Sequence, residues 1–162
     1  MKRLLPLVFI ILISCGKDST NPESKPDGIV NYFIEGDSMH IVDSASNSGA
    51  KWIYSNGVSE GYGLQAYYAK PGGEVLYMLS FFIETDKIEA GRNYVDGVTG
   101  TILRNDTDYA SANGMQDTYI IIYVSKKQDN TLSGRFKARL QNLNTHEFFD
   151  VSGSFENVKL IQ

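Results

Sequence analysis

The chain has 162 residues, a formal net charge of −4 and one cysteine. A chain of this length can bury a single hydrophobic core of adequate size. Its negative charge argues against a nucleic-acid partner, because nucleic acids bind to basic surfaces. One cysteine forms no disulfide within the chain, so the packing of side chains must hold the fold together.

The N-terminus has the layout of a secretory signal. The basic start Lys2-Arg3 is followed by the ten-residue apolar run from Leu4 to Ile13 and by the small residue Ser14. A transmembrane helix would need about 20 apolar residues, and polar residues at 16–18 end this run too early. The sequence therefore predicts a signal peptide and not a membrane span.

The segment Leu12-Ile13-Ser14-Cys15 resembles the bacterial lipobox. This resemblance implies that Cys15 receives a diacylglyceryl group, that residues 1–14 are removed, and that the new amino group is acylated. Two or more acyl chains hold a protein stably on a membrane. Lys17-Asp18 resembles the export tags of Bacteroidetes surface lipoproteins, which implies the outer membrane with exposure at the cell surface. Apart from this lipid we expect no cofactor and no metal.

Cleavage would leave an acidic domain on a short tether. It removes Lys2 and Arg3, which lowers the basic residues from 15 to 13 against 19 acidic residues and the net charge from −4 to −6. Residues 15–27 are then the lipidated cysteine and a polar segment, which we predict to be a flexible tether that reaches at most about 40 Å. Residues 28–162 are predicted to form a single all-β domain.

From Ile29 onward, apolar and polar residues alternate with the period of a β-strand, and turn residues interrupt the pattern at short intervals. We therefore predict an all-β fold, either an antiparallel β-sandwich or a β-barrel of about eight to ten short strands. In chain order the predicted strands are Asn31–Glu35, Ser38–Val42 after a turn at Gly36-Asp37, Lys51–Tyr54, Tyr62–Ala69, Val75–Ile83, Asn93–Val95, Gly100–Leu103, Thr118–Val124, and the alternating runs 132–140 and 149–160. Val75–Ile83 is apolar except at Ser80, which predicts burial on both faces, and residues 104–117 are predicted to be a polar loop.

The last two strands repeat a Ser-Gly-x-Phe unit, at residues 133–136 and 152–155. The strands should pair, and we expect each glycine to make room for a neighbouring aromatic ring. Even-numbered residues from Leu132 to Leu140 are predicted to face the core. Val158 has the opposite parity from Phe155, which predicts a β-bulge near Glu156-Asn157.

The run from Thr118 to the C-terminus, with its Ser-Gly-x-Phe units and its Asn-Val-Lys-Leu ending, and the earlier Gly91-Arg92-Asn93-Tyr94 carry a second resemblance. They are similar to the closing strands of small, uncharacterised Bacteroidetes-type outer-membrane lipoproteins. That group has no assigned activity. The resemblance therefore implies a fold and a cellular location, and it implies no enzymatic reaction.

Five aromatic residues are the candidate ligand-binding residues: Trp52, Tyr54, Tyr62, Tyr67 and Tyr68. Exposed rings of this kind could stack on sugars, which predicts a carbohydrate-binding surface. Tyrosine is also a favourable strand residue, so ordinary packing in a sheet is the competing interpretation.

Two other patterns suggest chemistry. Gly57-Val58-Ser59-Glu60-Gly61 has the spacing of a nucleophile elbow, which needs a helix after the serine. The following residues alternate like a strand, so we interpret the segment as a glycine-rich turn and predict no catalytic residue. Asp106, Asp108 and Asp117 could supply oxygen ligands to Ca²⁺, but no calcium-loop motif is present and a solvated acidic loop is expected.

Arg135, Lys137 and Arg139 place three positive charges on one outward face of a strand. Such a face usually keeps a strand soluble, and a specific anionic ligand is the alternative. Together these observations predict a membrane-anchored envelope lipoprotein, not an enzyme, whose β domain binds a protein partner or an envelope component. The alternative function is a carbohydrate-binding module that uses the five aromatic residues.

Overall fold

A computed structural model describes residues 28–34, 37–43, 48–70, 75–104, 107–111 and 116–162. Every regular element in these ranges is a β-strand. The strands are β1 (Ile29–Ile34), β2 (Asp37–Val42), β3 (Ser48–Asn56), β4 (Glu60–Ala69), β5 (Val75–Glu84), β6 (Arg92–Tyr94), β7 (Val98–Arg104), β8 (Thr107–Ser111), β9 (Tyr119–Gln128), β10 (Thr131–Asn142) and β11 (Phe148–Ile161). The predicted signal peptide, Cys15 and the tether lie outside the described residues. Within those residues there is no helix of the length and apolarity that crossing a membrane requires.

The strands form one sheet in the order β2-β1-β11-β3-β4-β5-β7-β8-β10-β9-β6. β11 also pairs with β10, which closes the strands from β11 round to β10 into a ring of seven. β9 and β6 continue outward from β10, and β1 and β2 continue outward from β11. The sheet is therefore a nearly closed barrel, and the predicted all-β fold is confirmed.

Three details of the topology differ from the prediction. Residues 104–117 contain β8, which pairs with β7 and β10; its sequence Thr-Asp-Tyr-Ala-Ser is too polar to show a strand pattern. β2 begins at Asp37, one residue earlier than predicted, and Asp37 pairs with Ile34. Finally, the end of β11 pairs with β3 in parallel at Lys159–Ile161, since this 14-residue strand extends past β1.

Alternate residues of the strands point into the barrel and form one hydrophobic cluster. Its largest side chains pack in pairs. The ring of Trp52 meets that of Phe155 edge to face with centroids 5.4 Å apart, and Phe81 meets Phe136 in the same way at 5.1 Å. Such ring pairs contribute about 0.5–1.5 kcal/mol each beyond the apolar area that they bury.

β5 is less buried than its sequence predicts. Leu79, Phe81 and Ile83 are fully buried in the barrel, whereas Met78, Ser80 and Phe82 face outward and are only half-buried. In the described part of the chain no second layer covers this outer face. The prediction that both faces of β5 are buried is therefore wrong for the outer one.

The hairpin of β10 and β11 fits two aromatic rings over two glycines. Gly134 pairs with Phe155, and Phe136 pairs with Gly153. A Cβ atom on either glycine would lie 2.5 Å from Cζ of the paired phenylalanine, and 2.1 or 2.3 Å from a backbone oxygen of the adjoining strand. The glycines thus leave the space that the rings occupy, which confirms the role predicted for the Ser-Gly-x-Phe units.

Both strands beside Ser133-Gly134 carry a β-bulge. On β11 three steps from Phe155 to Val158 oppose two steps on β10, so the extra residue lies at Glu156-Asn157, as predicted. Asn157 has a φ of 51°, and its backbone N–H donates a 2.9 Å hydrogen bond to Ser133 Oγ. The register of β9 shifts at the same level of β10. Bulges of this kind increase the local twist and bend of a sheet.

Gly134→Ala is expected to lower the free energy of unfolding by about 1–3 kcal/mol, the usual cost of overpacking a filled core. Gly57→Ala is the control, because the nearest atom to its added Cβ would be Ser55 Oγ at 3.7 Å, and its effect should stay within about 0.5 kcal/mol. Urea denaturation of residues 16–162 measures both variants. Equal stability of the two variants would contradict the packing described for the hairpin.

Candidate functional site

The outer face of the six strands β6-β9-β10-β11-β1-β2 forms a groove with a volume of about 640 Å³. This volume lies in the range of about 300–1,000 Å³ that is usual for ligand sites. Two rows of side chains cross it from strand to strand. The first row contains Asn93, Tyr123, Arg135, Ser154 and Asn31. The second row contains Ile121, Lys137, Ser152, Phe33 and Ser38. We call this site the outer groove.

The alternation of the strands places these side chains outside the barrel. Arg135 and Lys137 are exposed, while Phe136 between them is buried in the core. On β11, Ser152 pairs with Lys137, and Ser154 pairs with Arg135. Long side chains on β10 thus stand beside short hydroxyl side chains on β11, which leaves open space above β11 for a ligand.

The outer groove carries two positive charges, and none of the described residues that line it is acidic. The Arg135 guanidinium carbon lies 5.1 Å from the centroid of the Tyr123 ring. Neither Arg135 nor Lys137 has an ion-pair partner within the described part of the chain. Arg104, by contrast, forms an ion pair with Asp37. The positive charge of the groove is therefore available to a ligand.

Arg139, the third predicted cation, lies on the same face beyond the outer groove. It pairs across the hairpin with Asp150, and its guanidinium carbon lies 5.4 Å from the centroid of the Phe148 ring. Tyr119 pairs with Arg139 on its other side. The three cations predicted to share one face do so, and aromatic rings accompany them.

Trp52 does not contribute to any surface. Its exposed fraction is 0 %, its ring packs on Phe155, and its Nε1 atom is buried with no hydrogen-bond partner among the described residues. The prediction that Trp52 is exposed to stack on a sugar is wrong, because its position on β3 points into the barrel.

The four predicted tyrosines are split between different surroundings. Tyr62 is buried, and its ring centroid lies 5.1 Å from that of half-buried Tyr54. Tyr54 donates a hydrogen bond to the Glu60 carboxylate, and this bond raises the pKa of Tyr54 above its usual range. Tyr67 and Tyr68 are both exposed, but as neighbours on one strand they point to opposite faces. The structure therefore does not bring the five aromatic residues together.

Ser59 and the acidic residues between 104 and 117 are the other candidates for chemistry that the sequence suggested. Residues 57–59 connect β3 to β4, and β4 begins at Glu60, so a strand and not a helix follows Ser59, as the turn interpretation predicted. Within the described ranges no cluster of His, Cys, Asp and Glu could hold a metal. Asp106, one of the three candidate calcium ligands, lies outside the described residues.

Only some of the residues that line the outer groove can be predicted from the sequence. Arg135 and Lys137 follow from the alternation of β10. Counting back through the turn at Asp129-Asn130 would place Val124 beside Arg135, and Tyr123 lies there only because the register of β9 shifts at Ser133-Gly134. Phe33 could not have been found in this way, because β1 pairs with β11 from the opposite end of the chain.

Comparison of the chain with protein-family models, with curated proteins and with solved structures gives no match. The assignment of a site therefore depends on the geometry of the chain itself.

The burial of Trp52 can be tested by its fluorescence, since it is the only tryptophan. In the folded protein we expect blue-shifted emission and weak quenching by acrylamide, because the barrel excludes water and quencher from the indole. Unfolding in urea should shift the emission to the red and restore strong quenching. Strong quenching in the folded state would show that Trp52 is exposed, and the carbohydrate-binding surface predicted from the aromatic residues would again be a candidate.

Proposed function

We propose that the chain is a lipid-anchored envelope protein whose β domain is a non-catalytic module that binds an anionic ligand in the outer groove. One observation carries this proposal. Arg135 and Lys137 project into a groove of about 640 Å³ whose described lining contains no acidic side chain. Two cations held together without a counterion are best explained by a ligand that supplies the negative charge.

The spacing of the two cations favours shared binding of one ligand. Residues two positions apart on a strand are about 6.6–6.8 Å apart along it and lie on the same face. Hydrogen bonds from Arg or Lys to carboxylate or phosphate are about twice as strong as neutral ones, and Arg can bind such groups with two parallel bonds. The formal net charge of the whole chain is −4, so the attraction is a local property of the outer groove.

The predicted lipid on Cys15 supports an envelope ligand. A tether that spans at most about 40 Å keeps the domain near the membrane surface, where acidic polymers and lipid-linked components are concentrated. The lack of a shared surface for Trp52, Tyr54, Tyr62, Tyr67 and Tyr68 removes the basis for stacking a neutral sugar there. We therefore favour an acidic envelope component.

Replacing both cations should abolish most of the binding. Residues 16–162 are titrated with polyphosphate, poly-L-glutamate and polygalacturonate in a calorimeter at low salt. We expect at least one polyanion to bind, and Arg135→Ala/Lys137→Ala to raise its Kd by about 10–100-fold, because hydrogen bonds to charged groups contribute about 1.5–3 kcal/mol.

Lys70→Ala is the control for this experiment, compared with Lys137→Ala alone. Lys70 is exposed after the end of β4 and does not line the outer groove, so both variants lose one charge but only Lys137→Ala should weaken binding. The proposal is wrong if no polyanion binds, or if the two single variants weaken binding equally.

The lipid anchor is tested separately in cells. Cys15→Ser removes the thiol that would accept the diacylglyceryl group, and we expect the full-length chain to move from the membrane fraction to the soluble fraction. Ser14→Ala keeps a small residue before the cysteine and should stay in the membrane fraction. A Cys15→Ser chain that stays with the membrane would contradict the predicted anchor.

A further inference from the structure

We infer that the anionic ligand is an acidic polysaccharide, a chain of sugar rings that carry carboxylate groups. This inference rests on the proposed function, because it names the class of anion that the outer groove takes. The outer groove differs from a simple anion-binding site in three features, which are its size, its aromatic walls and its neutral polar floor.

The outer groove is too large for an isolated anionic group. From Tyr123 on β9 to Asn31 on β1 the first row crosses three strand spacings, a width of about 14 Å. A single carboxylate or phosphate bound to Arg135 and Lys137 would fill only a small part of the 640 Å³. The groove therefore has room for the uncharged part of a larger ligand as well as for its anionic group.

The walls of the groove are aromatic. Tyr123 stands on one side with Arg135 against its ring, and Phe33 stands on the other side with 51 % of its surface exposed. A sugar ring presents C–H groups on its faces, which pack well on an aromatic ring. Rings on both sides of the cations thus suit sugar units on both sides of a bound carboxylate.

The floor supplies neutral hydrogen-bonding groups. Ser152 is exposed and Ser154 is half-buried on β11, and Asn31 is half-buried on β1. His40 Nδ1 lies 2.5 Å from Asn31 Oδ1, which holds the amide group and leaves its NH₂ to donate to another partner. Hydroxyl and amide groups both donate and accept hydrogen bonds, as the hydroxyl groups on the rim of a sugar ring do.

The combination of cation and ring recurs beyond the groove, which favours a polymer. Arg139 lies four residues from Arg135, about 13 Å along β10, and contacts the exposed ring of Phe148. Tyr119, paired with Arg139, has 42 % of its surface exposed. A ligand with regularly repeated negative charges would meet Arg135 and Lys137 in the groove and then Arg139, whose cross-strand partner is Asp150.

Two other classes of polyanion fit less well. An extended acidic peptide usually binds by adding a strand to a sheet edge, whereas the outer groove lies on a sheet face whose backbone groups are already paired. A nucleic acid needs a domain with an overall basic surface, whereas this chain has a formal net charge of −4. An acidic polysaccharide requires neither a free edge nor an excess of basic residues.

The test compares three polymers on residues 16–162, which retain every described residue. Polygalacturonate has both sugar rings and carboxylates, its fully methyl-esterified form has lost the charge, and poly-L-glutamate has lost the rings. We expect polygalacturonate to bind at least about tenfold more tightly than either. Phe33→Ala should raise the Kd for polygalacturonate by about three- to tenfold and leave that for poly-L-glutamate unchanged.

Tyr67→Ala is the matched control for Phe33→Ala. Tyr67 is an exposed aromatic residue with 39 % of its surface accessible, but it lies on β4, outside the outer groove, and its loss should change neither Kd. Phe33→Tyr should retain binding of polygalacturonate.

The outcomes separate this inference from the proposed function. Equal binding of polygalacturonate and poly-L-glutamate, with no effect of Phe33→Ala, would overturn the polysaccharide and leave the anion site standing. Tighter binding of poly-L-glutamate than of polygalacturonate would overturn it as well. Absence of binding to every polyanion, or binding that Arg135→Ala/Lys137→Ala does not weaken, would overturn the proposed function itself.

Discussion

The structure depends on the reciprocal fit of two glycines and two phenylalanines in the hairpin of β10 and β11. Gly134 lies under the ring of Phe155, and Gly153 lies under the ring of Phe136. The same two rings make the edge-to-face contacts to Trp52 on β3, the strand beside β11, and to Phe81 on β5, across the barrel. Close packing of this kind makes a core sensitive to the addition of a single methyl group. One hairpin thus sets the register of two strands and joins the two sides of the core.

The same hairpin also positions the candidate site, because side chains alternate between the two faces of a strand. Arg135 lies between Gly134 and Phe136, and its cross-strand partner Ser154 lies between Gly153 and Phe155. A slip of the register by one residue would move these side chains into the barrel. Packing on the inner face therefore holds a cation and a hydroxyl side by side on the outer face. The bulges beside Ser133-Gly134 lie next to the first row of the outer groove.

Alternation along the chain predicted the fold class. The inward face of β10, the glycine and ring pairs and the bulge at Glu156-Asn157 were also predicted, because each of these three features depends on neighbours within one hairpin. The candidate site was harder to predict. Trp52 belongs to the alternating face that points inward, and composition alone does not reveal which face that is. The groove combines β1 with β11 from opposite ends of the chain, and no turn between them fixes which residues meet. Lipidation at Cys15 and residence in the outer membrane stay predictions from the sequence.

We propose that the ligand binds on the outer face of β9, β10, β11 and β1. An NMR titration of ¹⁵N-labelled residues 16–162 with oligogalacturonate locates the binding surface, because every backbone amide reports its own surroundings. We expect the largest shift changes at Tyr123, Arg135, Lys137, Ser152 and Ser154. Shift changes concentrated on β4 around Gln65–Tyr68, with the outer groove unaffected, would contradict it.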